Sequence, residues 1–401
     1  MVRPVVLVRL ADAGDLVMTW RWVAGAQGFG TGQAPADLVA PAIAALAGAL
    51  PESGGMAKAF DSGAMSGYPG EVKLSRVLAE ALWPEQLTEQ IRQVSVLGRP
   101  LIRIQPSPRV AQVPWDLLAV DGETRLLDLA DVETAVPVSL RRNTSQASES
   151  DNVVLVLDPK VPGFRDGSPL GSVLGDADPA LLDLIRRHVD KGTAVPTEPL
   201  RRGDLDRDWL GEALREGARR LMYVGHVSSA PVDGGQSEDA QLHLCCGPGT
   251  TGFAEVVRAH RPLSAKDLLL GTRTLRADGV TGAELWPSPR RVALIACESG
   301  GDLRFAESFG LASAMILNGA ELVTATRWAV PTSHAFHRLA GVGESIRPLS
   351  DLIVAVDSAH EEPDPVARLG DWQRERLAAW RATGSVEHSP LLWGALTSLV
   401  R

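Results

Sequence analysis

Residues 291–302 read RVALIACESGGD, and the reading of this stretch decides the fold. Val292 to Ile295 make a short apolar run that ends at Ala296; Cys297 follows, and Glu298, Ser299, Gly300 and Gly301 break the pattern. Four or five apolar residues bounded by turn formers are the mark of a strand buried on both faces, as in a parallel sheet. In open α/β sheets, ligands bind at the carboxyl ends of such strands. Cys297 stands at that edge. It is either an inert core thiol, the common state of a cysteine behind an apolar strand, or a nucleophile.

A second strand of the same kind lies upstream. LMYVGH (221–226) is an apolar run ending in Gly225 and His226, and Cys297 follows His226 by 71 positions (297 − 226). If the two strands are parallel neighbours, their ends lie about 5 Å apart, which brings an imidazole to a thiol. Cysteine is already partly ionised near neutrality, and a nearby imidazole can take its proton, so the two residues suffice to attack a carbonyl. Gly300 and Gly301 leave room for a substrate backbone.

Bulk properties narrow the alternatives. The chain has 401 residues, 45% of them apolar, enough for two or three domains with real cores. A net charge of -9 and a pI near 5.5 exclude a polyanion partner, because nucleic-acid binding rests on clustered Lys and Arg. No apolar run reaches the roughly 18 residues of a membrane helix, and the start MVRPVVLVRLAD carries no export signal. Neither nucleic acid nor membrane is expected as a partner. Three cysteines, an odd number, point to free thiols in a reducing cytoplasm. His243-Leu244-Cys245-Cys246 lacks the ligand spacing of structural zinc. Gly28, Gly30 and Gly32 do not make a dinucleotide fingerprint, and there is no phosphate-binding loop and no G-x-S-x-G elbow. No metal and no cofactor is expected.

Along the chain, the alternation of MTWRWV and the turn at 13–15 predict a hairpin of strands 5–10 and 18–23. A helix is expected over 37–50, a glycine-rich loop over 52–70, helices over 72–96 interrupted at Pro84, and strands at 101–104 and 132–140. The run RRNTSQASESD (141–151) has no apolar period and reads as a linker, dividing a first half, 1–145, from a second half, 146–401. Beyond it, strands are expected at 153–157, 220–224, 242–245, 291–295 and 321–325, alternating with helices at 179–190, 205–219 and 305–317. That alternation predicts an α/β fold, a mainly parallel sheet flanked by helices.

LMYVGH followed by ALIACESGG resembles the paired motifs of the CHAT family, caspase-like cysteine peptidases of clan CD. VPWDLLAVDG (113–122), LSAKDLL (263–269), GLASAMILNGAELVTATRWAV (310–330) and SPLLWGALTSLV (389–400) are similar to further blocks of that family, in the same order. The resemblance implies a caspase-like catalytic domain over 146–401 preceded by a smaller, related but non-catalytic α/β half. It makes His226 the general base and Cys297 the nucleophile, with the backbone N–H groups of Val227 and Cys297 as the oxyanion donors. It puts Arg327, Trp328 and Glu298 at the substrate cleft. The implied activity is a cytoplasmic cysteine endopeptidase making limited cuts in a protein substrate. It is expected to be controlled by a regulatory protein partner, in a bacterial signalling or defence system. The acidic loop SSAPVDGGQSEDA (228–240) beside the histidine suits a basic substrate residue.

One departure stands out. The family places Gly after the histidine where this chain has Val227, and a valine resists positive φ and crowds a cleft. The alternative is therefore a catalytically silent caspase-like scaffold that binds a partner peptide.

Overall fold

In the strand Asp15–Ala24, Leu16, Met18, Trp20 and Trp22 fall on one face and are buried, while the residues between them are exposed or half-buried, so the alternating sequence becomes a half-buried strand. Gly14, at φ +80°, turns the chain between this strand and its antiparallel neighbour Val5–Ala13. The computed structural model describes residues 2–96, 98–140, 150–165, 167–168, 170–175, 178–191, 200–231 and 233–401. Within it the chain divides into two compact units. One comprises Met1–Ala135, Ser333–Pro348 and Glu362–Ser398; the other comprises Val136–Thr332, Leu349–Glu361 and Leu399–Arg401.

In the first unit the strand order is Phe29–Ala34, Asp15–Ala24, Val5–Ala13, Leu101–Gln105, Asp131–Ala135. The first three are antiparallel and the last three parallel. The glycine cluster at 28–32 thus belongs to a strand edge, which the sequence did not announce. The glycine-rich stretch 52–70, expected as a loop, contains the helix Gly55–Asp61 and the start of the helix Tyr68–Leu82. Packing is the reason: Phe60 and Met65 are buried, and the Phe60 ring meets Phe336 edge-on at 5.0 Å. A buried cluster of Leu117, Leu127, Leu377, Trp380 and Trp393 forms the far side of this core. Beside it the fully buried Arg125 guanidinium donates to both oxygens of Glu71 at 3.0–3.1 Å, and the Trp380 indole N–H reaches the same carboxylate at 3.4 Å.

The second unit holds four parallel strands in the order Leu322–Thr326, Arg291–Ile295, Arg220–Val224, Val153–Leu157. Their residues are buried throughout, save Arg291, as uninterrupted apolar runs require. The helix Pro179–Asp190 runs as expected, with Asp178 as its cap accepting from the Ala180 N–H at 2.7 Å. Other elements are shorter than expected. The strand at 132–140 ends at Ala135 and yields to a 3₁₀ turn, Val138–Leu140; helices 205–219 and 305–317 contract to Arg207–Arg215 and Leu311–Leu317; strand 242–245 contracts to Gln241–Leu242. Residues 141–149 of the expected linker lie outside the described residues.

The amino ends of these strands are held by a polar belt. Arg220, almost fully buried, donates to the Asp357 carbonyl at 2.9 Å and its carboxylate at 3.1 Å, and also pairs with Glu361. His188 reaches the same Asp357 carboxylate at 3.0 Å, and Arg291 donates to the His360 carbonyl at 2.5 Å. Burial alone would raise the Asp357 carboxyl, but the His188 hydrogen bond and the Arg220 charge outweigh it and hold it below the usual carboxylate range. The helix Pro348–Glu361 is thereby fastened to the start of two strands. Removing one member of such a buried pair leaves a charge without compensation, so Arg220→Ala should cost on the order of 3–5 kcal/mol in urea denaturation. Arg186→Ala, which breaks the solvent-exposed pair with Asp183, should stay within about 0.5 kcal/mol.

Candidate active site

The pairing expected between the two signature strands is present. Arg220–Val224 and Arg291–Ile295 are parallel neighbours, with Val224 opposite Ile295. The Gly225 N–H donates to the Ile295 carbonyl at 3.4 Å, so the ladder runs one residue past the strand ends. His226 and Cys297 each stand two residues beyond that last pair, at the same edge of the sheet. Both are half-buried. Cys245 and Cys246 are buried, and burial pushes both thiols up, Cys245 to about 11. Cys297 alone among the three cysteines reaches partial exposure.

Its backbone is fixed by the next strand. The Thr326 hydroxyl donates to the Ala296 carbonyl, and the Gly300 N–H donates to the Thr326 carbonyl at 2.9 Å. Ser299 donates through its hydroxyl to the Leu294 carbonyl at 2.6 Å and accepts from the Thr326 N–H at 3.1 Å. Glu298 follows the cysteine at φ +52°, a left-handed turn that non-glycine residues hold only when their surroundings impose it. Its N–H donates to the Trp328 carbonyl at 3.2 Å and its carboxylate pairs with Arg304.

The imidazole is oriented by a main-chain group that no sequence signal marked. Nε2 of His226 lies 2.8 Å from the Gly171 carbonyl. A carbonyl only accepts, so Nε2 carries the hydrogen in the neutral ring and Nδ1 is left with its lone pair. Gly171 is presented by a loop wound around Asp158, the buried residue that ends the strand Val153–Leu157 at φ +52°. The Asp158 carboxylate accepts from the Ser172 hydroxyl at 2.5 Å and from the N–H groups of Val173 and Leu174 at 3.1 and 3.4 Å; Arg201 donates to it at 3.3 Å. Burial, opposed by the Gly171 hydrogen bond and the Asp158 charge, holds His226 below the usual imidazole range, so the ring is neutral at pH 7.

Val227 lies in extended backbone, paired with Leu242 in a short antiparallel ladder, so a β-branched residue meets no strain there. The anticipated crowding does not arise from backbone geometry. Because the His243 N–H donates to the His226 carbonyl at 3.2 Å, the alternation of an antiparallel ladder turns the N–H of Val227 away from Leu242's strand. A narrow recess lined by Ser229, Ser237, Glu298, Asp302 and Phe305 lies between the loops that follow His226 and Cys297. Asp302 is occupied within the protein: its carboxylate accepts the Ser313 N–H at 2.7 Å at the start of the helix Leu311–Leu317. Arg327 and Trp328, expected to wall the cleft, are buried, and Trp328 exposes none of its surface. As a contact for substrate the Trp328 side chain is out of reach. Its carbonyl serves the cysteine turn instead.

His243, weighed above as a metal ligand, has another role. Among the described residues no group of three or more His, Cys, Asp or Glu side chains could hold a metal ion. His260 lies with Nδ1 2.9 Å from the Cys246 carbonyl, so Nδ1 donates and its Nε2 accepts from Nδ1 of His243 at 3.1 Å. Nε2 of His243 then accepts from the Ser228 hydroxyl at 2.8 Å. Every tautomer in this chain is dictated by the carbonyl at its end. Burial, with the neighbouring His260, lowers His243 to about 3, and burial also lowers His260. Their folded pKa values lie below the unfolded one near 6.5, so their contribution is present above that pH and is lost as pH falls below it. Guanidinium denaturation between pH 7 and pH 4 should show stability falling by up to about 1.4 kcal/mol per pH unit for each such group. His243→Asn should flatten that slope.

Three comparisons bear on identity. No curated protein matches the sequence. A chain of the Saccharomyces cerevisiae separase–securin complex superposes with a TM-score of 0.51 at 9% identity, over 99% of this chain and 30% of that one. The Arg-specific cysteine proteinase gingipain R gives a TM-score of 0.44 at 10% identity, over 81% of this chain and 67% of its own. This chain thus spans under a third of the separase-complex chain, and the likeness is one of fold: a caspase-like mainly parallel α/β sheet flanked by helices. The model of the CHAT domain matches residues 72–341, well over half of the sequence, and with the two signature strands side by side the chain belongs to the CHAT domain family.

Proposed function

We propose that this protein is a cysteine endopeptidase that makes limited cuts in a protein substrate, with Cys297 as nucleophile and His226 as its base. The observation that carries the reading is the register of Val224 with Ile295, which supports a thiol and a neutral imidazole meeting at one sheet edge. In the first step Nδ1 of His226 takes the proton of Cys297 as Sγ attacks the scissile carbonyl, forming a C–S bond and an oxyanion. The N–H groups of Val227 and Cys297 are the candidate donors to that oxygen. Collapse breaks the C–N bond, the imidazolium returns its proton to the leaving amine, and a thioester remains. Water, giving its proton to the same imidazole, displaces the thiol and releases the new carboxylate.

The Gly171 carbonyl supports this scheme by holding the ring in the tautomer whose free lone pair is on Nδ1, and by stabilising the imidazolium as it forms. Glu298 and the loop 228–240, at the recess beside the cysteine, are the candidate contacts for a basic substrate residue. Family membership and the caspase-like fold support peptidase chemistry in general. The cytoplasmic setting, the regulatory protein partner and the bacterial signalling or defence context rest on the sequence resemblance and belong to the proposal. The silent-scaffold alternative had Val227 as its warrant, and the extended, unstrained backbone there speaks for the active reading.

The direct test is labelling with a peptidyl acyloxymethyl ketone followed by mapping of the adduct. Modification should fall on Cys297 and not on Cys245 or Cys246. Because nucleophile and base act as a unit, Cys297→Ala and His226→Ala should each remove nearly all turnover of a cleaved protein substrate, and the double variant should be scarcely worse than either. Full proteolysis by Cys297→Ala would sink the assignment. For Val227, replacement by Gly should keep turnover within a few-fold, whereas Pro, which deletes an N–H the ladder does not use, should lower kcat about 10²- to 10³-fold with the fold intact by circular dichroism. Equal kcat for all three would show that no oxyanion contact is made at this position.

A further inference from the structure

The strand Phe29–Ala34 ends its sheet: it pairs with Asp15–Ala24 and with no other described strand. Natural edges are blunted by charge, proline or cover. This one, FGTGQA, has neither charge nor proline, and Phe29 is 80% exposed. Its unpaired N–H and C=O groups form an open template for another strand.

The face beneath that edge is unfinished. Cross-strand partners put Leu16, Met18 and Trp20 opposite Ala34, Gly32 and Gly30, all on one face. The large residues of the inner strand are buried, but the edge strand offers almost no side chain, and at Gly30 a Cβ would fall 2.2 Å from the Trp20 ring. The segment Glu80–Pro84, at the end of the helix Tyr68–Leu82, closes a cavity of about 240 Å³ against Leu16, Met18, Gly32 and Ala34. Leu38, 55% exposed, forms its rim. This is the space that the inward-facing side chains of one further strand would fill.

Charge selects the strand. Glu80 is the charged group lining this cavity, and an adjoining cavity of about 350 Å³ is lined by Glu80 and Glu85; no Lys or Arg lines either. Neither glutamate forms an ion pair among the described residues. A second copy of this chain is a poor occupant, because its own edge would bring Gly30, Gly32 and Ala34 to the cavity and leave it empty.

We propose that the edge Phe29–Ala34 and the cavity beside it bind an extended segment of a partner protein, one whose every second residue is apolar and which carries a Lys or Arg at the next position of that same face. The segment adds a strand to the sheet by main-chain hydrogen bonds, drops apolar side chains over Gly32 and Ala34, and, two residues further along on the same face, sets a basic residue against Glu80. This goes beyond the peptidase reading and does not require it.

The test is fluorescence anisotropy with the full chain and fluorescein-labelled Thr-Leu-Thr-Val-Thr-Lys-Thr-amide, in which Leu, Val and Lys share one face. Saturable binding is expected, at least about tenfold weaker for Thr-Leu-Thr-Val-Thr-Glu-Thr-amide and for the first peptide N-methylated on alternate main-chain nitrogens. Glu80→Lys and Leu38→Glu, both at exposed positions, should weaken it by a similar factor, and Cys297→Ala should leave it unchanged. Equal binding of the N-methylated or acidic peptide, or no saturation by about 1 mM, overturns the proposal. So does sedimentation showing a dimer that Leu38→Glu dissociates while no peptide binds, since the occupant would then be a second copy.

Discussion

The candidate site depends on one constraint, the register between Arg220–Val224 and Arg291–Ile295. With Val224 opposite Ile295, His226 and Cys297 leave the sheet at the same level. A slip of one residue would move one of them by about 3.3 Å along the strand and turn it to the other face. Strands that alternate apolar and polar residues resist such a slip, because it would bring polar groups into the core. These strands do not alternate. They are apolar on both faces, so burial alone scarcely distinguishes one register from the next.

What distinguishes them lies at the opposite end. Arg220 and Arg291 are register partners, two cations side by side at the amino ends of adjacent strands. Each is tied to the same helix, Arg220 through Asp357 and Arg291 through the His360 carbonyl, while His360 itself bonds Thr324 of the third strand at 2.8 Å. Burial, followed by the charge of Arg220, lowers the pKa of Arg291, a sign of how closely the two cations are held. A slip would take an arginine off its acceptors and leave a buried charge uncompensated. The second unit thus separates two tasks: ion pairing at one end of the strands sets the alignment, and the other end is left for chemistry.

Much of this was legible in the sequence, for physical reasons. Uninterrupted apolar runs bounded by turn formers gave the parallel strands of the second unit nearly to the residue, and the two polar residues behind them pointed to the edge where they meet. The glycine-rich stretch 52–70 was misread because its helix Gly55–Asp61 is supported by the contact of Phe60 with the distant Phe336, which local composition does not record. The edge strand Phe29–Ala34 was missed because its two glycines, Gly30 and Gly32, erase the alternation that marks a strand. Trp328 was placed at the cleft by the family resemblance, but its side chain is enclosed. The blocks at 113–122 and 389–400, far apart in the chain, were recognised only as resemblances. The structure gives them a common cause, since Leu117 and Trp393 share one apolar cluster.

The carbonyl of Gly171 was invisible for a different reason. Every residue type carries that group, so the site's third polar element leaves no trace in side-chain identity. What holds it in place is Asp158, whose carboxylate gathers Ser172, Val173 and Leu174 into the turn that aims the carbonyl at His226. The orientation of the imidazole is therefore encoded one step removed from the imidazole. A survey of this protein by residue replacement would find position 171 tolerant wherever the backbone can keep its course. It would instead report a distant, buried aspartate as intolerant, and the chemistry served would be that of a peptide oxygen which no substitution can delete.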